Sequence, residues 1–130
     1  MIVVDTSAWV DVALGRANPE LLSILEGDGH WVVPEHFRLE VLTAVRGAYR
    51  GNTLDALGYA RAVRDLADAA VDVWPTDPLI PRILQLTESA TPYDAALIAL
   101  AEELGCRLVT ADAKLSRVPG IRCPVVGFPS

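Results

Sequence analysis

Short, unbroken apolar runs alternate along this chain with longer stretches in which apolar residues recur every three or four positions. The opening run, MIVV before Asp5, has the pattern of a strand buried on both faces. Comparable runs are HWVV (30–33), VDVW (71–74), CRLVT (106–110) and CPVVGF (123–128), the last edge-like because Pro124 stands at its start. Helical periodicity fills the intervals. TSAWVDVAL (6–14) takes Thr6 or Ser7 as its cap, and NPELLSILEG (18–27) shows Asn18, Pro19 and a closing Gly27. EHFRLEVLTAVRGAYRG (35–51) places Phe37, Val41, Ala44, Val45 and Ala48 on one face. NTLDALGYARAVRDLADAA (52–70) is expected to be capped by Asn52 or Thr53, and TDPLIPRILQLTES (76–89) is entered through Asp77 and Pro78. TPYDAALIALAEELG (91–105) is closed by Gly105, and ADAKLSR (111–117) reads as a short helical turn. Such alternation predicts an α/β fold: a three-layer arrangement with a parallel sheet of about five strands and helices on both faces. No repeat or linker interrupts residues 1–130, which are expected to form a single domain.

The stretch TPYDAALIAL carries an acid on an apolar face. At 100° per residue, Leu97, Ile98, Ala101 and Leu104 share the side of Asp94, whereas Glu102 and Glu103 fall on the side or back, where charge is solvated. Capping accounts for part of this, with Thr91 as N-cap, Pro92 first and Asp94 third. A buried carboxylate still requires a partner.

Ligands of an open parallel sheet bind beyond the carboxyl ends of its strands. Asp5 follows the first strand directly, and Asp112 follows the fourth by two residues. Asp94 opens the helix that feeds that strand, and Glu40 lies on the shoulder of an apolar stripe in the second turn of its helix. Singly, Asp5 can be a cap, Glu40 a solvated residue and Asp112 a turn residue. Together they reach one edge. Two carboxylates ~5 Å apart repel by roughly 3 kcal/mol at an effective dielectric near 20. Such a group needs a cation or bound protons. An all-oxygen set suits Mg²⁺, with Mn²⁺ as a substitute, and such ions serve phosphodiester chemistry.

Composition sharpens this. The net charge of −6 disfavours general nucleic-acid binding unless the acids are concentrated, and without those four it falls to −2. Ten of the eleven basic residues are Arg; Arg46 and Arg50, then Arg61 and Arg64, are spaced to share helix faces and are candidate phosphate contacts, or else solvated faces with ordinary ion pairs. Trp9, Trp31 and Trp74 are expected in the core or an interface. Cys106 and Cys123 show no metal or CxxC spacing and are expected to be buried reduced thiols; His30 and His36 read as surface or loop-edge residues rather than ligands. A hydrophobic content of 52% predicts a well-filled core. No apolar run approaches the ~18 residues of a membrane span, and MIVVDTS lacks the basic segment of a secretory signal. A cytoplasmic protein without membrane contact is expected.

VVDTSAWV, FRLEVLTAV, PYDAALIALAEELG and LVTAD, in this order across the whole chain, resemble the motifs of PIN domains, and more narrowly the toxin component of VapBC toxin–antitoxin pairs. The resemblance implies a magnesium-dependent endoribonuclease whose metal site contains Asp5, Glu40, Asp94 and Asp112, with Thr110 from the Thr-x-Asp element. Asp5 and Asp94 are expected to bind metal most directly, Asp112 and Glu40 to complete the shell, and Thr110, with Thr6 or Ser7, to orient water or a carboxylate. It further implies a homodimer, a VapB-type antitoxin that blocks the site with a C-terminal segment, and tRNA or ribosomal RNA as substrate. AKLSR lacks the further acid that some relatives carry, which counts against a full second metal site. A phosphorelay receiver is disfavoured because the third strand ends in VW and the sole lysine, Lys114, is misplaced; an Asp-x-Asp phosphatase fails because DTS has no second acid. The alternative is a PIN-fold binding module without catalysis, acting through an antitoxin or RNA partner.

Overall fold

The computed structural model describes residues 1–128. Its five strands are β1 (Ile2–Val4), β2 (Trp31–Pro34), β3 (Val71–Trp74), β4 (Arg107–Thr110) and β5 (Val125–Gly127). All pair in parallel, in the order β3-β2-β1-β4-β5. The N-terminal apolar run is therefore the centre of the sheet. Side chains alternate across a strand, so Ile2 and Val4 join Val33 and Val109 in one core, while Val3 joins Val32 and Leu108 in the other. Burial on both faces is why these runs are continuously apolar rather than alternating. Both edges are less covered: β3 exposes Asp72 and Val73, and β5 is half-buried throughout.

Helices α1 (Thr6–Ala13), α2 (Pro19–Gly27), α3 (Phe37–Arg50) and α4 (Ala56–Asp68) pack on the first core. Helices α5 (Ile80–Leu86) and α6 (Pro92–Leu104) cover the second. This is the expected three-layer α/β arrangement. The PLIP segment enters through a 3₁₀ turn, Asp77–Leu79, before α5 begins, because Pro78 and Pro81 withhold backbone donors.

Three local expectations need correction. First, α1 begins at Thr6 itself, with Asp5 in the cap position and no side-chain cap bond; the Ser7 hydroxyl turns to the acids instead. Second, α4 is capped by Asp55, whose carboxylate accepts from Gly58 N at 2.7 Å, rather than by Asn52 or Thr53. Asn52, at φ 62°, ends α3: its N–H reaches Tyr49 O and that of Thr53 reaches Ala48 O, a left-handed helix stop. Third, α6 is buried all round from Ala95 to Ala101, not along one stripe. It lies between the sheet and α5, and its alanines allow close approach. Glu102 on its flank is not simply solvated: it accepts from Arg82 at 2.7 and 3.1 Å and from Arg122 N at 2.7 Å.

Gly127 packs closely at the carboxyl edge of the sheet. It pairs with Thr110, and a Cβ there would lie 3.1 Å from Ala113 Cα, which opens the 3₁₀ turn Ala113–Arg117. We predict that Gly127→Val lowers unfolding free energy by about 1–3 kcal/mol in urea denaturation; unchanged stability would show that the turn yields freely.

Candidate active site

Strand β1 delivers Asp5 to the carboxyl edge of the sheet, where it is buried at 7% exposure. Its Oδ2 accepts from Thr110 Oγ1 at 2.7 Å and from Ser7 Oγ at 2.8 Å. The two hydroxyl oxygens are 3.1 Å apart. Ser7 Oγ also accepts from Ala111 N at 3.0 Å, and Thr110 Oγ1 from Asp112 N at 2.9 Å. The Asp-Thr-Ser and Thr-x-Asp segments, a hundred residues apart in sequence, thus close into one network. Oδ1 makes no hydrogen bond among the described residues, so one oxygen is anchored and the other is free.

Glu40 comes from the first turn of α3, and Thr6 Oγ1 donates to its Oε1 at 3.3 Å. Burial raises its pKa first, the Asp5 charge adds to the rise, and the Thr6 bond opposes it. Asp94 stands third in α6. Thr91 caps the helix, accepting from Asp94 N at 3.2 Å, so capping holds for the backbone. The carboxylate has a second circumstance. Burial raises its pKa, and so do Asp5, Asp112 and Glu40, in that order. Asp94 therefore feels the charges of the other three, and Glu40 feels that of Asp5. Asp112 spends Oδ1 on Lys114 N at 3.0 Å. Among the described residues, no Lys or Arg forms an ion pair with any of the four.

The donor chemistry fits a hard divalent cation: carboxylate and hydroxyl oxygens, with no thiolate. The side chains nevertheless stand apart. Among the described residues, no three His, Cys, Asp or Glu side chains lie at the spacing that would hold a metal ion. Like charges repel at such an edge unless a cation or protons offset them.

His36, expected at a loop edge, lies against the acids. Its Nε2 is 3.1 Å from Glu40 Oε1 without hydrogen-bond geometry, and that buried nitrogen has no other partner. Burial holds its pKa below the ordinary value against the pull of Asp5, Asp94 and Glu35. Its ring meets Tyr93 edge-on, centroids 4.9 Å apart. His30 is exposed and pairs with Asp72 at the distant sheet edge. Arg46, Arg50, Arg61 and Arg64 are all exposed, but none lines a cavity beside the acids. Arg61 borders a groove with Trp9 and Trp31, and Arg64 one with Tyr49 and Tyr59. Trp9 is core, as expected. Cys106 and Cys123 are free and half-buried, and burial pushes the Cys123 thiol to about 11.

Known proteins resemble this chain over nearly its whole length. The profile of the PIN domain family matches residues 2–121. Ribonuclease VapC9 of Mycobacterium tuberculosis is 33% identical over 129 residues, covering 99% of both chains. The crystal structure of Mycobacterium tuberculosis VapC20, described as a Sarcin-Ricin loop cleaving toxin, superposes with a TM-score of 0.69 at 15% identity, covering 92% of this chain and 95% of that one. VapBC2 of Rickettsia felis, solved bound to a DNA fragment from their promoter, superposes at 0.68 with 13% identity, covering 99% and 100%.

An acid whose folded-state pKa lies above its unfolded value carries no penalty while protonated in both states, and destabilises as pH rises through the folded value. Asp94 is such a group. In chelator, Asp94→Asn is expected to melt at or above the wild-type temperature at pH 7, with the difference fading as pH falls into the ordinary carboxylate range. A variant that melts well below wild type at neutral pH would show that the Asp94 charge is stabilising.

Proposed function

We propose an RNA-cleaving function from one premise: the chain belongs to the PIN domain family. The observation that carries the proposal is the Asp5 network, which fixes one oxygen of a buried carboxylate beside three other acids and leaves the second oxygen free. The activity is hydrolysis of RNA phosphodiester bonds by a toxin of a type II toxin–antitoxin pair, with tRNA or ribosomal RNA as substrate.

Asp5 and Asp94 would hold Mg²⁺ most directly, with Asp112 and Glu40 completing the shell or holding its water; Mn²⁺ has the same donor preference. When bound, the cation supplies positive charge for the phosphate and lowers the pKa of water. The chain's own residues do the rest. Ser7 and Thr110 orient Asp5 by donating to Oδ2, Thr6 steadies Glu40, and one of the four acids accepts the proton of the attacking water. The N–H groups opening α6 favour an anionic phosphate nearby. No helix among the described residues is long and apolar enough to cross a membrane, and the proposed place of action is the cytoplasm.

A VapB-type antitoxin is the proposed partner, from the likeness to VapC proteins. A homodimer is proposed on Leu39, Ile80 and Tyr93, which are 69, 43 and 58% exposed and line one cavity of about 560 Å³.

Asp94→Asn is predicted to lose at least about a hundredfold in cleavage of total RNA with Mg²⁺, while circular dichroism reports an unchanged fold; full activity in this variant would refute the assignment. Adding Mg²⁺ or Mn²⁺ to chelated protein is expected to raise its melting temperature, since a ligand of the native state stabilises it. The shift should vanish in the Asp5→Asn, Asp94→Asn double variant. An unshifted wild type that also leaves RNA uncut is the outcome expected of a silent PIN-fold binding module.

A further inference from the structure

An RNA-cleaving site built of carboxylates repels its own substrate, so the placement of nearby cations decides where the backbone of the RNA can lie. Two cavities include one of the four acids, Glu40 in one and Asp112 in the other, and a further cavity adjoins the first through His36, Leu39 and Tyr93. The two on the α3–α6 side are lined by residues such as His36, Leu39, Thr43 and Tyr93, with no Lys or Arg among them. The third, about 360 Å³, lies on the Asp112 side and includes Ser7, Asp11, Arg16, Asp112 and Lys114. Ser7 joins it to the site, because the same hydroxyl donates to Asp5.

Arg16 is placed there by a local device. Helix α1 stops at Gly15, whose φ of +71° suits glycine. Gly15 N–H reaches Val12 O at 3.1 Å, and Arg16 N–H returns to Asp11 O at 2.9 Å. That turn folds Arg16 back over the last turn of the helix, where its Nε donates to Asp11 Oδ1 at 2.9 Å. The Asp11 side chain is 8% exposed and that of Arg16 57%. The buried carboxylate grips one edge of the guanidinium. Neither Nη has a protein hydrogen bond among the described residues, and Arg16 is one of the residues lining the cavity. Asp11 offsets the charge of Arg16, so the pair contributes direction more than net charge. A planar fork held at Nε matches two oxygens of a phosphate. Lys114, two residues after Asp112, adds a point charge on the same cavity.

We propose that Arg16, held by the positioning residue Asp11, forms with Lys114 a subsite for a phosphate of the RNA backbone adjoining the scissile one, on the Asp112 side of the acids. The inference rests on the RNA-cleaving reading but has its own test. Binding of a labelled single-stranded RNA oligonucleotide is followed by fluorescence anisotropy across a KCl series. Asp94→Asn is the parent, so that the RNA survives. Adding Arg16→Ala is expected to weaken binding about tenfold and to reduce the log–log salt slope by about 0.7, the loss of one phosphate contact on a single strand. Adding Lys114→Ala should lower the slope similarly. Arg16→Lys should keep the slope while recovering only part of the affinity, since the fork is gone. Asp11→Asn gives opposite signs for two explanations. Removing a negative charge tightens RNA binding if net charge alone matters, and that result overturns the positioning role; weaker binding supports it. Arg16→Ala with the affinity and slope of its parent overturns the subsite, as does a parent that binds no RNA. Wild-type cleavage of total RNA, scored separately, decides the catalytic reading: a protein that cuts RNA while Arg16→Ala binds like its parent loses the subsite alone.

Discussion

Repulsion among four carboxylates at the end of the central strand is the constraint on which this molecule turns. Asp5 is buried, and Asp94 is penalised both by burial and by the charges of Asp5, Asp112 and Glu40. Left to themselves, such groups would separate or take up protons. Their backbones are brought to one edge of the sheet by packing that has nothing to do with charge: β1 is sealed between two cores, α3 is pinned by Phe37, Val41 and Val45, and α6 is buried from Ala95 to Ala101. The hydrophobic layers hold the acids against their mutual repulsion. The Ser7 and Thr110 hydroxyls then orient the most buried of them.

What was legible in the sequence follows from this division. A strand buried on both faces needs an unbroken apolar run, so MIVV and CRLVT announce the sheet, and Asp5 and Asp112 are marked by coming just after its strands. Asp94 is legible because an acid in an otherwise apolar helix is anomalous. Tertiary context was not legible. The all-round burial of α6 depends on α5 packing across it, and an amphipathic stripe was the best inference from periodicity. Glu102 looks solvated until Arg82 and the backbone of Arg122 arrive from elsewhere. Asn52 sits as plausibly at a helix start as at a helix end; only its left-handed φ decides.

The arginines divide in the same way. Arg46, Arg50, Arg61 and Arg64 stand out as pairs on helix faces, but none of them lines the cavities beside the acids. Arg16 stands alone and carries no periodic signal. Its sequence trace is the Asp-x-x-x-Gly-Arg ending of α1, a left-handed stop that brings an acid and a base five residues apart into contact. His36 and Tyr93 escaped similarly, since their edge-on meeting joins a loop after β2 to the start of α6. The acids therefore lie between an aromatic wall on one side and cations on the other.

Diffraction from crystals grown with Mn²⁺, collected at an energy where manganese scatters anomalously, tests the central claim most directly. The account predicts an anomalous peak within about 2.5 Å of carboxylate oxygens of both Asp5 and Asp94, with Asp112 and Glu40 turned inward from their present positions. No peak at this edge of the sheet, at manganese concentrations that support RNA cleavage, would contradict it.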